Sequence, residues 1–328
     1  MGLVVRVLVT GGAGFIGSHL VDHLLEEGFE VVVLDSLVSG SEENLARWEG
    51  CPGFSFLKAD LLTLGSLSGA LEGCEGVYHL AANPEVNLRN ASPSDHFHQN
   101  VEATYRLLEA VRSEGGVRFV VFTSSSTVYG EPSVIPTPED YGPLEPISLY
   151  GASKLACEAL LSGYSHMYGF SSYVYRLANI VGPRSNHGVI YDFTLKLRLN
   201  PRELEVLGDG TQSKSYLYVE DCVEALQAGL SAGGLVNVFN VGSDDRVSVL
   251  EIAEAVKKAN GLEGAEVRLT GGVDGGRGWR GDVKVMLLDT GRIKSLGWRP
   301  KHTSWEAVYK TAVALAGGLE GVPKPKDG

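Results

Sequence analysis

The chain has 328 residues, 44% of them hydrophobic and 21% charged, which is typical of a globular protein with an ample core. A formal net charge of -12 leaves no excess of Lys and Arg for phosphates and argues against a nucleic acid as the main partner. No apolar run reaches the roughly 18 residues of a membrane helix and no signal peptide precedes the first strand, so we expect a cytoplasmic protein. The scattered cysteines predict free thiols and no metal site: Cys51, Cys74, Cys157 and Cys222.

Strand-like apolar runs alternate with amphipathic helical stretches through the first half of the chain. The predicted strands are Val4–Thr10, Glu30–Asp35, Phe54–Lys58, Gly76–Ala81, Arg118–Ser124 and Ser172–Arg176. The predicted helices are Gly14–Glu27, a piece near Glu42–Trp48, Leu64–Leu71, Asp95–Ser113 and Tyr150–Tyr168. Runs such as Val-Val-Val-Leu indicate strands that are buried on both faces. The predicted fold class is therefore α/β, a doubly wound parallel sheet of the Rossmann type.

The pattern changes after Asn179, where Gly, Pro and Asn interrupt shorter and mixed elements. This half predicts a smaller α/β substrate-binding lobe over the ends of the strands. We expect a dinucleotide-binding domain over residues 1–178, with 216–245 returning to it, and a discontinuous lobe over 179–315. Residues 316–328 are rich in Gly, Pro and Lys and predict a frayed tail.

The segment Gly11–Gly17 lies between a predicted strand and a predicted helix and satisfies both glycine spacings of dinucleotide-binding turns. Glycines there permit a tight turn and let a pyrophosphate approach the helix N-terminus. Asp35 ends the second strand, where a carboxylate binds both ribose hydroxyls and repels a 2′-phosphate, so NAD is favoured over NADP. Asp60, at the end of the third strand, could hydrogen-bond the adenine amino group or cap a helix.

Tyr150 and Lys154 lie four residues apart in a predicted helix, so their side chains project from the same face. An ammonium lowers the pKa of a neighbouring phenol, and a phenolate present near neutral pH is a useful base. A serine-rich strand end, Phe122–Gly130, precedes the pair. The chain thus has a dinucleotide-binding turn, then a serine-rich strand end, then the tyrosine and lysine pair. This order predicts an enzyme that transfers a hydride and a proton in one reaction.

These motifs resemble the nucleotide-sugar epimerases of the extended short-chain dehydrogenase/reductase superfamily, from Val4 to about Trp305. The matched elements are Thr10–Gly17, His79-Leu-Ala-Ala82, Asn100-Val-Glu-Ala-Thr104, Ser124–Gly130, Tyr150 with Lys154, and Arg176-Leu-Ala-Asn179. The resemblance implies that NAD contacts Gly11, Gly14, Phe15, Ile16, Gly17, Asp35, Ser36, Gly40, Asp60, Leu61, Leu80, Ala81, Ala82, Asn100, Ser124, Tyr150 and Lys154. His79 itself is expected to be a packed histidine without a chemical role.

The same resemblance implies a substrate site with two departures from the family pattern. Lys214-Ser215-Tyr216 stands where Arg-Asp-Tyr is usual, and Trp279-Arg280-Gly281-Asp282 carries its arginine one place out of register. Both Arg277 and Arg280 therefore stay open as ligands of the diphosphate. The full set implied for the substrate is Ser125, Ser126, Tyr150, Asn179, Val189, Leu207, Gln212, Lys214, Tyr216, Arg277, Arg280 and Asp282.

The activity that the resemblance implies is NAD-dependent epimerisation at C4, interconverting UDP-glucose and UDP-galactose through a transient 4-ketosugar. Tyr150 would take the proton from the 4-hydroxyl group. Lys154 would lower the pKa of the tyrosine and hold the nicotinamide ribose. Ser125 would hydrogen-bond the reacting oxygen.

Other functions stay open. An epimerase could instead act on UDP-glucuronate, UDP-N-acetylglucosamine or UDP-xylose, since Met286 falls near the position that gates an N-acetyl group. A dehydratase or decarboxylase would need a carboxylate where this chain has Ser126-Thr127. A non-catalytic NAD sensor would not need Ser125, Tyr150 and Lys154 intact. A homodimer is also implied, built on the Tyr150 helix and the long helix before it; four leucines suit that interface and the core equally: Leu107, Leu108, Leu155 and Leu160.

Overall fold

The computed structural model of the chain describes residues 4–65, 67–87 and 91–318. The strands in these ranges are β1 Arg6–Thr10, β2 Glu30–Asp35, β3 Phe54–Lys58, β4 Gly76–His79, β5 Phe119–Ser125, β6 Ser171–Leu177, β7 Asn179–Val181, β8 Glu203–Val206, β9 Ser213–Lys214, β10 Tyr216–Tyr218, β11 Val236–Val241, β12 Val247–Ser248, β13 Glu266–Leu269 and β14 Val285–Met286. The α-helices are α1 Phe15–Glu26, α2 Ser68–Leu71, α3 Pro93–His96, α4 Ala103–Glu114, α5 Leu149–Tyr168, α6 Val189–Leu199, α7 Val219–Ala228, α8 Val249–Ala259, α9 Gly291–Lys294 and α10 Ser304–Gly318. A π-helical segment, Phe97–Glu102, joins α3 to α4, and 3₁₀ helices occupy Glu42–Trp48, Ser126–Tyr129 and Gly229–Ser231.

Seven strands form one sheet in the order β11-β6-β5-β4-β1-β2-β3, and every neighbouring pair in it is parallel. The chain proceeds outward from β1 in one direction and then returns to β4 to proceed in the other. This reversal leaves a crevice at the carboxyl ends of β1 and β4, where doubly wound sheets bind their ligands. The predicted fold class is confirmed.

Apolar helix faces cover both sides of the sheet. On one side α1 and α7 bury Leu20, Leu24 and Leu226 against the strands, and on the other α4 and α5 bury Leu107 and Leu161. The strands are apolar on both faces because each face meets a helix layer. This packing fixes the strand ends relative to α1 and α5, the two helices that carry the predicted site.

Several element boundaries differ from the sequence-based expectation. Strand β4 ends at His79 instead of Ala81, and α2 covers only the last turn of the predicted helix Leu64–Leu71. The helical run that includes α4 begins before Asp95 because Ser92 forms a capping box with that residue. It ends at Gly115, which adopts a left-handed conformation at φ 70°.

The second half builds the smaller lobe on β8, β13, α6, α8 and α10, around a core that includes Leu197, Leu204 and Val256. Strand β11 returns to the large sheet beside β6, but β10 does not: it pairs with β7 in a separate small sheet. Leu217 of β10 nevertheless packs in the core of the large sheet, and the expected return of residues 216–245 to the dinucleotide-binding domain stays a prediction. Helix α10 also continues through 316–318, where a frayed tail was predicted, and 319–328 lie outside the described residues.

Among the described residues, no helix combines the length and the apolar character needed to cross a membrane.

Candidate active site

The predicted cofactor residues lie at the carboxyl ends of five adjacent strands, β1 to β5. Because parallel strands end at the same edge of a sheet, the fold brings these residues together on both sides of the β1–β4 crevice. By strand they are Gly11, Gly14, Phe15, Ile16 and Gly17 after β1; Asp35, Ser36 and Gly40 after β2; Asp60 and Leu61 after β3; Leu80, Ala81 and Ala82 after β4; and Ser124 at the end of β5.

The glycine turn has no space for side chains. Gly11 has φ 73°, and a Cβ atom on it would lie 2.6 Å from the backbone nitrogen of Ala81. A Cβ on Gly17 would lie 2.1 Å from the carbonyl oxygen of Gly11. Helix α1 follows at once, and its N-cap, Gly14, offers no side chain to the first N–H groups. The turn is therefore a backbone cradle at a helix N-terminus, which fits the pyrophosphate of a dinucleotide.

Asp35 connects this cradle to the end of β2. Its carboxylate accepts hydrogen bonds from the backbone N–H groups of Ala13, at 3.0 Å, and Leu37, at 2.8 Å. These bonds hold the side chain beside the glycine turn and leave further lone pairs on both oxygens for hydroxyl groups. The arrangement fits the ribose of NAD.

Two of the predicted cofactor residues use their polar groups within the protein. Asp60 accepts from the backbone N–H of Leu62 at 2.9 Å, which stabilises a turn; no helix begins there, since α2 starts at Ser68. Asn100 is buried, accepts from the N–H of Asn83 at 2.7 Å and donates to Ser153 Oγ at 2.9 Å. Asn100 therefore braces α5 against the loop after β4, and its expected cofactor contact stays a prediction.

His79 is a packed histidine, as expected. It is buried and its two ring nitrogens hydrogen-bond the hydroxyls of Thr10, at 2.7 Å, and Thr104, at 2.9 Å. Burial, together with the nearby Lys154 ammonium, lowers its pKa to about 3, so the ring stays neutral.

Tyr150 meets Ser125 because α5 begins very close to the 3₁₀ turn after β5. Ser148 caps the helix by accepting from the N–H of Gly151 at 3.1 Å. Gly151 permits the close approach: a Cβ atom there would lie 2.6 Å from the carbonyl oxygen of Thr127. The Ser125 hydroxyl lies close enough to the Tyr150 phenol to lower its pKa, and Ser125 Oγ accepts from Thr127 Oγ1 at 2.9 Å.

Lys154 is buried one turn further along α5 and is 3% exposed. Its Nζ donates to the carbonyl oxygen of Thr123 at 2.9 Å and lies 5.8 Å from the centre of the Tyr150 ring. Burial lowers the pKa of Lys154 to about 8, and burial raises the pKa of Tyr150 to about 12, which the nearby Ser125 hydroxyl only partly offsets. In the protein alone the phenol is therefore protonated at neutral pH, with a pKa above its ordinary value.

Sequence reasoning missed a buried ion pair behind these residues. Glu158, one turn after Lys154, pairs with Arg176 of β6 at 2.8 Å and accepts from Ser124 Oγ at 2.5 Å. Arg176 also donates to the Tyr129 hydroxyl at 2.9 Å. Fully paired buried charges of this kind fix one arrangement of the elements that they join, here α5, β5 and β6. In the sequence, the four-residue spacing of Lys154 and Glu158 within one helix was the only sign that Glu158 lies near the site.

His96 is a second residue that the sequence did not indicate. It is 1% exposed, and neither of its ring nitrogens has a hydrogen-bond partner among the described residues. Its ring meets the ring of Tyr150 edge-on, with centroids 6.2 Å apart. Burial lowers its pKa, opposed by the charges of Asp95 and Glu85.

On the substrate side, the structure separates the two candidate arginines. The side chain of Arg280 is 86% exposed and pairs with Asp274, whereas that of Arg277 is 19% exposed. Arg277 lies between Glu131, at 2.5 and 2.8 Å, and the carbonyl oxygen of Asp282. Arg277 is thus the more enclosed of the two, and the substrate contacts expected of both arginines stay predictions.

Lys214 and Asp282, both predicted substrate residues, form an ion pair of 2.6 Å. Tyr216 is buried in the core of the lobe, and burial raises the pKa of its phenol. Its expected substrate contact stays a prediction. Met286 is buried opposite Lys214 across β14 and β9. The remaining predicted residues lie as follows: Ser126 begins the 3₁₀ turn, Asn179 Nδ2 donates to the carbonyl oxygen of Ser215 at 3.0 Å, Val189 begins α6, and Leu207 accepts from Gln212 Nε2 at 3.2 Å.

Comparison with known proteins identifies the family. A model described as the NAD dependent epimerase/dehydratase family matches residues 7–242. The chain belongs to this family. The match confirms the family expected from the motifs and, with it, NAD as the cofactor.

Relatives span nearly the whole chain. It is 40% identical to a UDP-glucose 4-epimerase from Mycolicibacterium smegmatis over 319 residues, which cover 93% of this chain and 97% of that protein. It is 47% identical to a UDP-galactose 4-epimerase of known structure, with a TM-score of 0.84 over 96% of this chain and 99% of the other. A UDP-glucose 4-epimerase from Thermotoga maritima, solved with UDP-glucose, is 34% identical with the same TM-score and coverage.

Proposed function

We propose that the chain interconverts UDP-glucose and UDP-galactose by NAD-dependent epimerisation at C4. The observation that carries this proposal is the position of the Tyr150 phenol. It lies near the Ser125 hydroxyl and the buried Lys154 ammonium, at the edge of the sheet where the glycine cradle ends. A base, a hydroxyl donor and a cation at one point are the groups required to remove a proton from a hydroxyl as its carbon is oxidised.

The cradle of Gly11, Gly14 and Gly17 would hold the pyrophosphate of NAD, and Asp35 would hold its adenosine ribose. Bound NAD supplies an acceptor and donor of hydride and a positive charge near the phenol. Tyr150, as phenolate, takes the proton from the sugar's 4-hydroxyl and returns it after the 4-ketosugar has turned over. Ser125 donates a hydrogen bond to the reacting oxygen throughout.

Lys154 supplies charge in a dry environment. Its ammonium stabilises the Tyr150 phenolate, and its burial beneath the site strengthens this interaction because few water molecules screen it. Glu158 and Arg176 hold the part of α5 that carries Lys154 against β5. In the protein alone the pKa of Tyr150 is about 12, so the base becomes active only in the complex.

A dehydratase, the other activity in the family description, is disfavoured by the turn after β5. A dehydratase needs a carboxylate in this turn to eliminate water, and a decarboxylase needs one to position a carboxylated sugar. Here Ser126 begins the turn and Thr127 hydrogen-bonds Ser125 through Oγ1. A role as an NAD sensor would leave the contact between Ser125 and Tyr150 without a purpose.

We further propose a cytoplasmic homodimer formed through α5 and the helical run 93–114. Leu107 and Leu108 are fully buried in the core, so they do not contribute to such an interface. Large apolar side chains on the outer face of the same helices support it, including Phe97, Tyr105 and Met167, the last 74% exposed. The four free cysteines are consistent with a reducing compartment.

The test is incubation of the purified protein with UDP-galactose without added cofactor, with the sugars resolved by chromatography. We expect UDP-glucose to form up to a fixed equilibrium ratio, with Tyr150→Phe as the inactive control. No product, even with added NAD, would contradict the proposal. UDP-glucuronate and UDP-N-acetylgalactosamine would then be tested next, and a 4-keto-6-deoxy sugar from dTDP-glucose would favour the dehydratase.

A further inference from the structure

A buried histidine packs against the proposed base without making a hydrogen bond. His96 is the last residue of α3 and is 1% exposed, and neither Nδ1 nor Nε2 has a hydrogen-bond partner among the described residues. Its ring meets the Tyr150 ring edge-on, with centroids 6.2 Å apart and the two planes at 66°. A phenylalanine would make the same ring contact, so the packing does not require an imidazole. Because buried polar atoms are nearly always paired, the two nitrogens indicate a polar partner that arrives with a ligand.

The charge of Glu85 connects His96 with the smaller lobe. Burial has the largest effect on the pKa of His96, His187 and Asp192, lowering it for the histidines and raising it for the aspartate, and the Glu85 carboxylate raises all three. Glu85 follows β4, whereas His187 and Asp192 lie at the start of α6. Both of these side chains are open to solvent yet surrounded by protein, as groups on the wall of a cleft are. His96 and α6 thus approach each other on one side of Tyr150, where the cleft has to hold the sugar.

We propose that His96 binds the sugar of the substrate, with its imidazole hydrogen-bonding a hydroxyl group next to the reacting C4. This inference rests on the proposed function and names a specificity-determining residue for it. Burial lowers the pKa of His96, so the ring is neutral at pH 7 and has one N–H donor and one acceptor nitrogen. A sugar hydroxyl matches this pair, since it both accepts and donates. The 3-hydroxyl and 6-hydroxyl groups flank C4, and a hydrogen bond to one of them holds the sugar while Tyr150 exchanges a proton with the 4-hydroxyl.

His96→Phe tests the inference, because it keeps the ring contact with Tyr150 and removes both nitrogens. Isothermal titration calorimetry measures binding to NAD-loaded protein that also carries Tyr150→Phe, so that no UDP-galactose is converted. We expect His96→Phe to weaken UDP-galactose binding about tenfold, since a hydrogen bond is lost, and to leave UDP binding unchanged, since UDP lacks the galactose. His98→Phe is the matched control: His98 is exposed and pairs with Glu102 at 2.7 Å, so this variant should bind both ligands as its parent does.

Two analogues identify the hydroxyl group that His96 contacts. UDP-3-deoxygalactose and UDP-6-deoxygalactose are titrated into the same pair of proteins. The analogue that lacks the contacted hydroxyl should bind about tenfold more weakly than UDP-galactose when His96 is present, and as tightly as UDP-galactose in His96→Phe. The other analogue should show the same ratio to UDP-galactose in both proteins.

Three results would overturn the inference. One is UDP-galactose binding in His96→Phe that equals that of its parent. Another is an equal loss for UDP and UDP-galactose, which would assign His96 a structural role. The third is an absence of coupling between His96 and either hydroxyl. His96→Gln retains a donor and an acceptor and should recover part of the lost affinity, so a Gln variant as weak as the Phe variant counts against a hydrogen bond.

Failure of the proposed reaction is distinguishable from failure of this inference. If UDP-galactose binds in a His96-dependent manner but the wild type does not convert it, the sugar contact is retained and the epimerase is refuted. If the wild type converts UDP-galactose and His96→Phe leaves kcat and KM unchanged, the epimerase is retained and the role of His96 is refuted.

Discussion

Replacement of Lys154 by Met should make the cofactor-free protein more stable while it abolishes activity. Lys154 is 3% exposed, and burial lowers its pKa from 10.5 to about 8. The unfolded chain therefore binds more protons than the folded chain between about pH 8 and pH 10.5. Stability of the wild type rises with pH across this window and is lower at neutral pH than the same fold would have without the charge.

The magnitude follows from that difference in pKa. A change from 10.5 to about 8 corresponds to about 3 kcal/mol of destabilisation at pH 7. Met retains the apolar stem of the lysine but leaves the carbonyl oxygen of Thr123 without its 2.9 Å donor, which costs about 1 kcal/mol. We therefore expect Lys154→Met to be more stable than the wild type by roughly 2 kcal/mol at pH 7. The gain should shrink as the pH rises above 8.

Denaturant unfolding of cofactor-free protein at several pH values from 7 to about 10 measures this gain. Lys257→Met is the matched control, because Lys257 is equally buried but its ammonium reaches the exposed Glu254 at 2.9 Å; it should lose stability or remain unchanged. Turnover by Lys154→Met should fall by at least about a hundredfold, since the phenolate loses its cation. A variant that is no more stable at pH 7 than the wild type, or a gain that does not depend on pH, would refute the reasoning.

Three further predictions concern the turn, the cofactor and the interface. Gly151→Ala should lower both turnover and Tm, because its Cβ would meet a backbone carbonyl at 2.6 Å. Gly163→Ala on the same helix, with nothing within 4 Å, should raise the stability by about 1 kcal/mol. Similar Tm values for the two variants would contradict this. Asp35→Ser should weaken NAD binding by at least about tenfold in a calorimetric titration, and an unchanged Kd would show that the carboxylate only braces the turn. Met167→Glu should shift the protein from dimer to monomer in light scattering, with wild-type turnover per chain retained by the folded monomer as the check on folding.

Much of the candidate site was predictable because its signals are local. The glycine turn, Asp35 after the second strand and the pair Tyr150 and Lys154 depend on spacings of a few residues within one strand–turn–helix or one helix. Continuous apolar runs in the strands, alternating with helical stretches along the chain, also predicted a parallel sheet, since strands covered on both faces are apolar throughout. These features follow from backbone geometry that neighbouring residues impose on one another.

Ion-pair partners were not predictable, because they depend on which distant segments meet. Arg277 reaches Glu131 across the two lobes, whereas Arg280, three residues further on, faces solvent. Tyr216 belongs to a segment whose resemblance suggested substrate contact, yet its place in the small sheet of β7 and β10 buries it in the lobe core. Two adjacent residues in a loop or short strand look alike in sequence, and only the packing decides which one is buried.

The sequence by itself determined the layers of the fold, the edge of the sheet at which the site forms, and the chemistry of a phenol, an ammonium and a serine hydroxyl placed there. The tertiary structure decided their electrostatic state, because burial raises the pKa of Tyr150 and lowers that of Lys154. It also decided which buried polar atoms have no partner among the described residues, such as Nε1 of Trp279. Desolvation and unpaired hydrogen-bonding groups depend on every atom that surrounds a residue, and most of those atoms come from distant parts of the chain.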